Sequence, residues 1–159
     1  MPRPSVSLRG RALRLLTQRE QSRQELNRKL APHAESPEQL ASVLDRLQQE
    51  GWLSEERFAE SLARRRSERF GLRRIEQEFQ AHRLDPQVSG PVLAGLRATE
   101  RERALEAWTR RFGVVSQEPA ERARQQRFLA TVFSVAENRT ADCGAMHAQL
   151  VCPAGARPQ

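Results

Sequence analysis

Between Leu8 and Leu129 the apolar residues recur at spacings of three and four, broken at short intervals by Gly, Pro and Ser, and nowhere alternate long enough to make a strand. Such spacing lines apolar side chains along one face of successive helices, so the fold class it predicts is all-α. Leu8, Ala12, Leu15 and Leu16 share one face of a first helix, with Arg11 and Arg14 on the other. Ser22 to Glu25 reads as a capping box, in which hydroxyl and carboxylate satisfy each other's free backbone donors, and it opens a second helix through Leu26 and Leu30 to Pro32. Ser36 and Pro37 start a third, the Ser as N-cap and the Pro where its missing N–H costs nothing; Leu40, Val43, Leu44 and Leu47 form its buried face and Gly51 ends it. Ser54 caps a fourth helix that carries Phe58, Leu62 and Phe70 to a stop at Gly71, and a fifth carries Ile75 and Phe79 as far as His82. Asp85 and Pro86 open a sixth. Because an interior proline costs about 3 kcal/mol, Gly90 and Pro91 predict that this helix is short, kinked or delayed to Pro91. Thr99 and Glu102 read as another capping box, for a helix with Leu105, Trp108 and Phe112 that ends at Gly113; a last helix runs from near Pro119 to Leu129.

These segments repeat. Leu13, Leu26, Leu30 and Leu44 fall opposite Leu62, Ile75, Phe79 and Val92 at an offset of 48 or 49 residues, and a third unit starts near Glu100. The expected architecture is a tandem, elongated array of three-helix repeats, each too small to bury its apolar faces alone. Its expected divisions are a flexible N-terminus at 1–6, repeats at 7–53 and 54–98, and a partial third repeat at 99–134. A tail at 135–159, with Cys, His, Gly, Pro and Ala in no helical period, is expected to be disordered.

Charge narrows the partners. The chain has 159 residues, and 27 basic against 20 acidic side chains give it a formal charge of +7; all the basic residues but Lys29 are Arg. A surface that basic favours polyanions or an acidic protein surface. A GC-rich coding bias is the alternative to selection for bidentate Arg contacts. Residues 1–30 carry +6 and 101–130 carry +3, whereas 31–54 carry −3. In the run Arg64, Arg65, Arg66 the side chains fan out at 100° per residue, so they cannot all face one partner. Arg66 projects near the Phe58–Leu62–Phe70 face and must snorkel or pair, and Arg64 follows Glu60 at i+4. Arg65 and Arg69 form an i, i+4 stripe and, with Arg73 and Arg74, are the leading candidates for partner contact; Arg11 and Arg14 are secondary candidates.

No window approaches the roughly 20 apolar residues of a membrane span. Met1 to Leu8 lacks an apolar run ending in a small-residue cleavage site, so a cytoplasmic location is the expectation, and Cys143 and Cys152 are too few for a disulfide framework. Gly-rich phosphate loops, HExxH, CxxC and nucleophile-elbow patterns do not occur, and Ser, Cys and His are not spaced as a triad, so neither catalysis nor a cofactor or small-molecule substrate is expected. Cys143, His147 and Cys152 are three soft ligands without a fourth, so no metal is assigned to them. His33 and His82 fall at helix ends, which suits capping or surface roles, and Trp52 and Trp108 read as core anchors rather than base-stacking platforms.

The stretch GWLSEERFAESLARRRSERFG from Gly51 to Gly71, continued by Arg74-Ile75 and Glu78-Phe79, resembles the RecX family of regulatory proteins, as does SRQELNRKLAPHAESPEQL in the first unit. The resemblance covers roughly residues 7–130. It implies three tandem three-helix repeats and binding to the RecA recombinase filament, in whose helical groove family members contact adjacent subunits. There they mostly inhibit filament extension, ATP hydrolysis, strand exchange and coprotease activity. The chain departs from the family where members continue Phe-Leu-x-x-Arg-Gly-Phe-Ser into a ninth helix: it has Phe128-Leu129-Ala130-Thr131-Val132-Phe133-Ser134, and Gly90-Pro91 is a second departure. An incomplete third repeat would leave Leu105, Trp108, Phe128 and Leu129 without a covering helix. The expectation is a non-enzymatic, monomeric regulator of the RecA filament, with weak direct DNA contact allowed. The rivals are a basic helical module that acts on DNA itself, and an inactive product of a damaged gene.

Overall fold

The computed structural model describes residues 6–133; the expected disordered tail and the Cys143, His147 and Cys152 group lie outside the described residues. Seven α-helices account for the regular structure there: α1 (Leu8–Gln18), α2 (Arg23–Leu30), α3 (Pro37–Gln49), α4 (Glu55–Ser67), α5 (Leu72–Ala81), α6 (Pro86–Phe112) and α7 (Pro119–Val132), with a 3₁₀ turn at Ala31–His33 after α2. The chain is therefore all-helical, as its apolar spacing predicts.

Most of the expected starts have the expected chemistry. Ser7 caps α1 by accepting from the Gly10 N–H. At α2 the Ser22 hydroxyl accepts from the Glu25 N–H while the Glu25 carboxylate accepts from the Ser22 N–H, closing the capping box. Ser36 accepts from the Gln39 N–H at α3, with Pro37 in the first turn, and Ser54 accepts from the Arg57 N–H at α4. Asp85 starts α6, its carboxylate accepting from the Gln87 N–H at 2.8 Å. Gly51 ends α3 with φ +77°, the left-handed conformation that glycine adopts without strain. Around it the Gly51 N–H reaches the Gln48 carbonyl at 3.1 Å and the Trp52 N–H the Leu47 carbonyl at 2.9 Å, the two bonds of a Schellman motif. The end of α5 repeats the pattern, Arg83 N–H to the Gln80 carbonyl at 2.9 Å and Leu84 N–H to the Phe79 carbonyl at 3.2 Å. There the left-handed position is held by a non-glycine residue, Arg83, at φ 55°.

Two expectations about helix boundaries are corrected. α6 runs unbroken for 27 residues through Pro91, so it is neither short nor restarted, and Thr99 is not an N-cap. Proline lacks the N–H that would reach back to the Gln87 carbonyl, but Gly90 before it has no Cβ to clash with the pyrrolidine ring, and that absence allows helical backbone where other residues avoid it. Thr99 turns its hydroxyl back to the carbonyls of Gly95 at 3.2 Å and Leu96 at 3.4 Å, as hydroxyls do inside helices. The third helix of the second repeat and the first of the third are thus one element. α4, in turn, stops at Ser67 rather than continuing to Gly71. The backbone tightens there, with the N–H groups of Arg69 and Phe70 both donating to the Arg66 carbonyl.

The chain gathers into two compact units, Met1–Arg64 with Gln77–Val92, and Arg65–Glu76 with the chain from Leu93 on. In the first, Ala12, Leu26, Leu30, Leu40, Leu44, Leu47 and Leu53 form a core in which α1, α2 and α3 pack on one another. Each leucine so buried contributes about 1.5–3 kcal/mol of transfer free energy. In the second, Ala104, Trp108, Leu129 and Phe133 form a core against which Leu105, Phe112 and Phe128 pack. The expectation that Trp108 and Leu129 lack cover is corrected: they are 2% and 6% exposed. Phe133, fully buried, supplies apolar surface beyond the end of α7, and the Val132 carbonyl accepts from the Gly71 N–H at 2.7 Å, anchoring that end of the chain at the start of α5. The expected burial of Trp52 is corrected as well. The residue is 52% exposed, because Leu53 takes the core position after the Gly51 turn.

Candidate partner-binding surface

The candidate arginines fall in two places. Arg11 and Arg14 lie on α1; Arg11 is half-buried and its Nε donates to the Val6 carbonyl at 3.3 Å, while Arg14 is exposed. Arg65, Arg69, Arg73 and Arg74 are all exposed and all belong to the second unit. Since α4 ends at Ser67, Arg65 and Arg69 do not form the expected helical stripe; Arg69 sits in the turn, its guanidinium 5.9 Å from the centre of the Phe70 ring. Arg66 is over the same ring at 5.5 Å, a cation–π placement that keeps its charge near solvent as its position near the apolar face requires.

Arg73 and Arg74 occupy the first turn of α5, the end where the helix dipole is positive and cations are disfavoured. The Glu100 carboxylate offsets this by accepting from the Leu72 N–H at 2.8 Å, in the position where an anion is most useful. With Gly71 N–H bound to Val132, the start of α5 is fastened on both sides. With Glu100 and Val132 taking up the free N–H groups of that helix end, what this stretch presents to solvent is its exposed arginines, Arg73 and Arg74.

Sequence reading passes over Arg103 and Glu100, which hold this region in place. The Arg103 guanidinium donates to the Ser67 carbonyl at 2.8 Å, to the Leu96 carbonyl at 2.8 Å and more weakly to the Phe70 carbonyl at 3.4 Å, tying the end of α4 to α6 within the second unit. Burial pushes its proton affinity down, against the pull of Glu100. Spacing within α6 accounts for the Arg103 bonds to Leu96 and Thr99 but not for those to Ser67 and Phe70, or for Glu100 with Leu72, whose partners lie about 30 positions away in sequence.

The first unit has its own polar junction. His82 Nδ1 lies 3.0 Å from the hydroxyl of buried Ser22, and its ring meets Phe58 edge-on at 4.9 Å. Burial pushes the His82 pKa down, opposed by the nearby Glu25 and Glu78 carboxylates. Burial raises the pKa of Glu25, but the bidentate Arg19 contacts at 2.8 and 3.0 Å, the Ser22 N–H and the charge of His82 outweigh it and leave Glu25 below the ordinary carboxylate value. His82 thus joins the α2 cap to the end of α5, which agrees with a helix-end role. His33 is exposed at the close of its 3₁₀ turn.

Among the described residues no group of three or more His, Cys, Asp or Glu could hold a metal ion, and no helix is long and apolar enough to cross a membrane. What fold and surface define together is a helical-repeat protein whose second unit carries Arg65, Arg69, Arg73 and Arg74 exposed to solvent. The profile described as RecX, first three-helix domain, matches residues 9–47, which is α1 to α3 nearly end to end. The chain is 50% identical over 129 residues to the regulatory protein RecX of Ralstonia nicotianae, covering 81% of each chain. It is 51% identical over 127 residues to that of Leptothrix cholodnii, covering 80% of this chain and 81% of the other. With that of Neisseria meningitidis it shares 37% over 128 residues, covering 80% and 83%. The crystal structure of RecX from Lactobacillus salivarius superposes with a TM-score of 0.68 over 89% of this chain and 94% of that one, at 15% identity, and so shares the fold. The chain belongs to the RecX family of regulatory proteins.

Proposed function

We propose that this protein binds the RecA nucleoprotein filament and restrains it, limiting extension, ATP hydrolysis, strand exchange and coprotease activity. The observation that carries the reading is the 50% identity to a regulatory protein RecX across 81% of both chains. The arginine cluster of the second unit supports it physically: Arg65, Arg69, Arg73 and Arg74 offer forked donors to acidic side chains of the filament or to the phosphates it encloses. Arg11 and Arg14 on α1 are secondary contacts. The division into repeats at 7–53, 54–98 and 99–134 is part of the same reading, as are action as a cytoplasmic monomer and the lack of any chemical step.

A second reading, direct action on DNA, draws on the formal charge of +7. One experiment separates the two: titration of the protein into RecA's DNA-dependent ATP hydrolysis, beside titration into the same DNA without RecA. Inhibition well below the concentration that coats bare DNA is the expected result. Inhibition only where DNA itself is coated would transfer the activity to direct binding, and no inhibition at any concentration would remove the regulatory reading.

A further inference from the structure

Trp52 is the largest side chain among the exposed apolar residues described, and it stands in a hydrogen-bonded turn. The Schellman bonds at Gly51 and Trp52 set the turn. Arg57 then donates to the Gly51 carbonyl at 2.9 Å and the Trp52 carbonyl at 3.0 Å, and is itself paired with Glu20 at 2.9 Å. Leu53, 2% exposed, fills the core position next door, so the indole cannot fold inward without expelling it. An indole held in water by a rigid turn carries a large apolar area and little ordering entropy left to lose, the combination found in the anchor residues of protein interfaces.

The surroundings select the partner. Trp52 does not itself line a cavity, but its neighbours Gly51 and Leu53 border an open cleft of about 860 Å³ that is also lined by Glu55, Glu56 and Asp85. Each of these carboxylates takes a neutral donor: the Asp85 N–H for Glu55 at 3.3 Å, the Ser54 hydroxyl for Glu56 at 2.8 Å, and the Gln87 N–H for Asp85 at 2.8 Å. With Arg57 committed to Glu20, Arg83 is the cation left on the cleft wall, and the cleft is net negative. A phosphodiester backbone is repelled from such a surface, whereas a basic side chain is drawn to the carboxylates and to the face of the indole.

We propose that Trp52 and the acid-lined cleft beside it are a second docking surface, which takes a protein segment carrying a basic side chain next to an apolar one. The proposal rests on the filament reading above and assigns this surface to the protein of the filament, while the arginine cluster meets its acidic groups. The test measures inhibition of RecA's ATP hydrolysis, binding to bare DNA and thermal midpoint for wild type, Trp52→Ala, Trp52→Phe and the double variant Glu55→Gln/Glu56→Gln, whose amides keep the acceptor oxygens. Expected are a loss of about tenfold or more in inhibitory potency for Trp52→Ala, partial recovery with Trp52→Phe, and a loss of about threefold for the double variant with a shallower salt dependence. Bare-DNA binding and thermal midpoint stay at wild-type values for the Trp52 variants, whereas the double variant, which loses two carboxylates from the first turn of α4, melts slightly lower and does not lose bare-DNA binding. Full potency of Trp52→Ala, with wild type inhibiting, overturns the docking surface alone. A parallel loss of bare-DNA binding would make the indole a base-stacking platform, and a change only in self-association by light scattering would give it to a second copy of the chain; each overturns the proposal. If wild type itself does not inhibit, the filament reading fails and the docking surface falls with it.

Discussion

Replacing Arg103, a residue of α6, with Met removes the guanidinium while keeping a stem of similar length. Two of its bonds are short, to the carbonyls of Ser67 and Leu96, both at 2.8 Å. A hydrogen bond to a charged donor contributes about 1.5–3 kcal/mol. The Ser67 carbonyl lies at the end of α4, where the helix supplies no partner of its own, so the upper half of that range applies there. The Leu96 carbonyl sits inside α6, where an intrahelical donor is available, so its loss costs well under 1 kcal/mol. Together they give about 2–3 kcal/mol, to which the 3.4 Å contact with the Phe70 carbonyl adds little. In a unit of this size 1 kcal/mol moves the midpoint by about 4–8 °C, so the second unit should melt more than about 8 °C lower. Arg103→Lys should recover less than half, because one ammonium cannot span both carbonyls. Urea unfolding followed by far-ultraviolet circular dichroism, read together with Trp108 fluorescence, measures the change. A loss below about 0.5 kcal/mol would refute the idea that Arg103 fastens α4 to α6.

Arg83→Gly should stabilise the protein by about 1 kcal/mol, since glycine adopts the left-handed conformation at φ 55° without the Cβ penalty; a lower thermal midpoint would show that the Arg83 side chain outweighs the backbone strain. His82 should make the first unit sensitive to acid. Its folded pKa lies below the unfolded value of 6.5, so the unfolded chain takes up the proton first as pH falls. The stabilisation is full above that value, declines as pH drops through it towards the folded value, and is level below. Urea midpoints at pH 7.5 and 5.0 should differ more for wild type than for His82→Gln, and equal differences would exclude His82 as the cause. Charge reversal at Arg69 and Arg73 should weaken inhibition of RecA by about tenfold with helicity unchanged, and undiminished inhibition would remove both from the partner surface.

What the sequence shows and what it hides divide along physical lines. Caps are local: Ser22 with Glu25, Ser36 with Pro37, and Gly51 each need only neighbours three or four residues away, and each stands as its spacing predicts. Breakers are conditional. Pro91 should interrupt a helix, and only the missing Cβ of Gly90 explains why α6 continues, a compensation that proline's average cost does not contain. Thr99 and Glu102 fit a capping box in spacing, yet the same residues suit a helix interior, where the Thr hydroxyl bonds backward. Trp52 shows the limit of reading burial from residue type: next to Leu53, one of the two must face water, and the Gly51 turn decides which. Arg65, Arg69, Arg73 and Arg74 are exposed, as arginines mostly are, but the stripe read for Arg65 and Arg69 fails because α4 stops at Ser67, and the Glu100–Leu72 and Arg103–Ser67 contacts that hold this stretch depend on pairing between distant elements. The RecX motif from Gly51 to Gly71 carries the family; it does not by itself say which arginines meet the partner.

Action on RecA in its filament form, rather than on DNA, makes binding depend on the protein component of the filament. The most direct measurement is co-sedimentation of the purified protein with RecA filaments assembled on single-stranded DNA, at a salt concentration chosen so that bare DNA no longer retains it. The protein should pellet with the filaments, saturably, and stay in the supernatant with DNA alone. If it remained in the supernatant with both, or pelleted only under conditions where bare DNA also carries it down, RecA would not be its target.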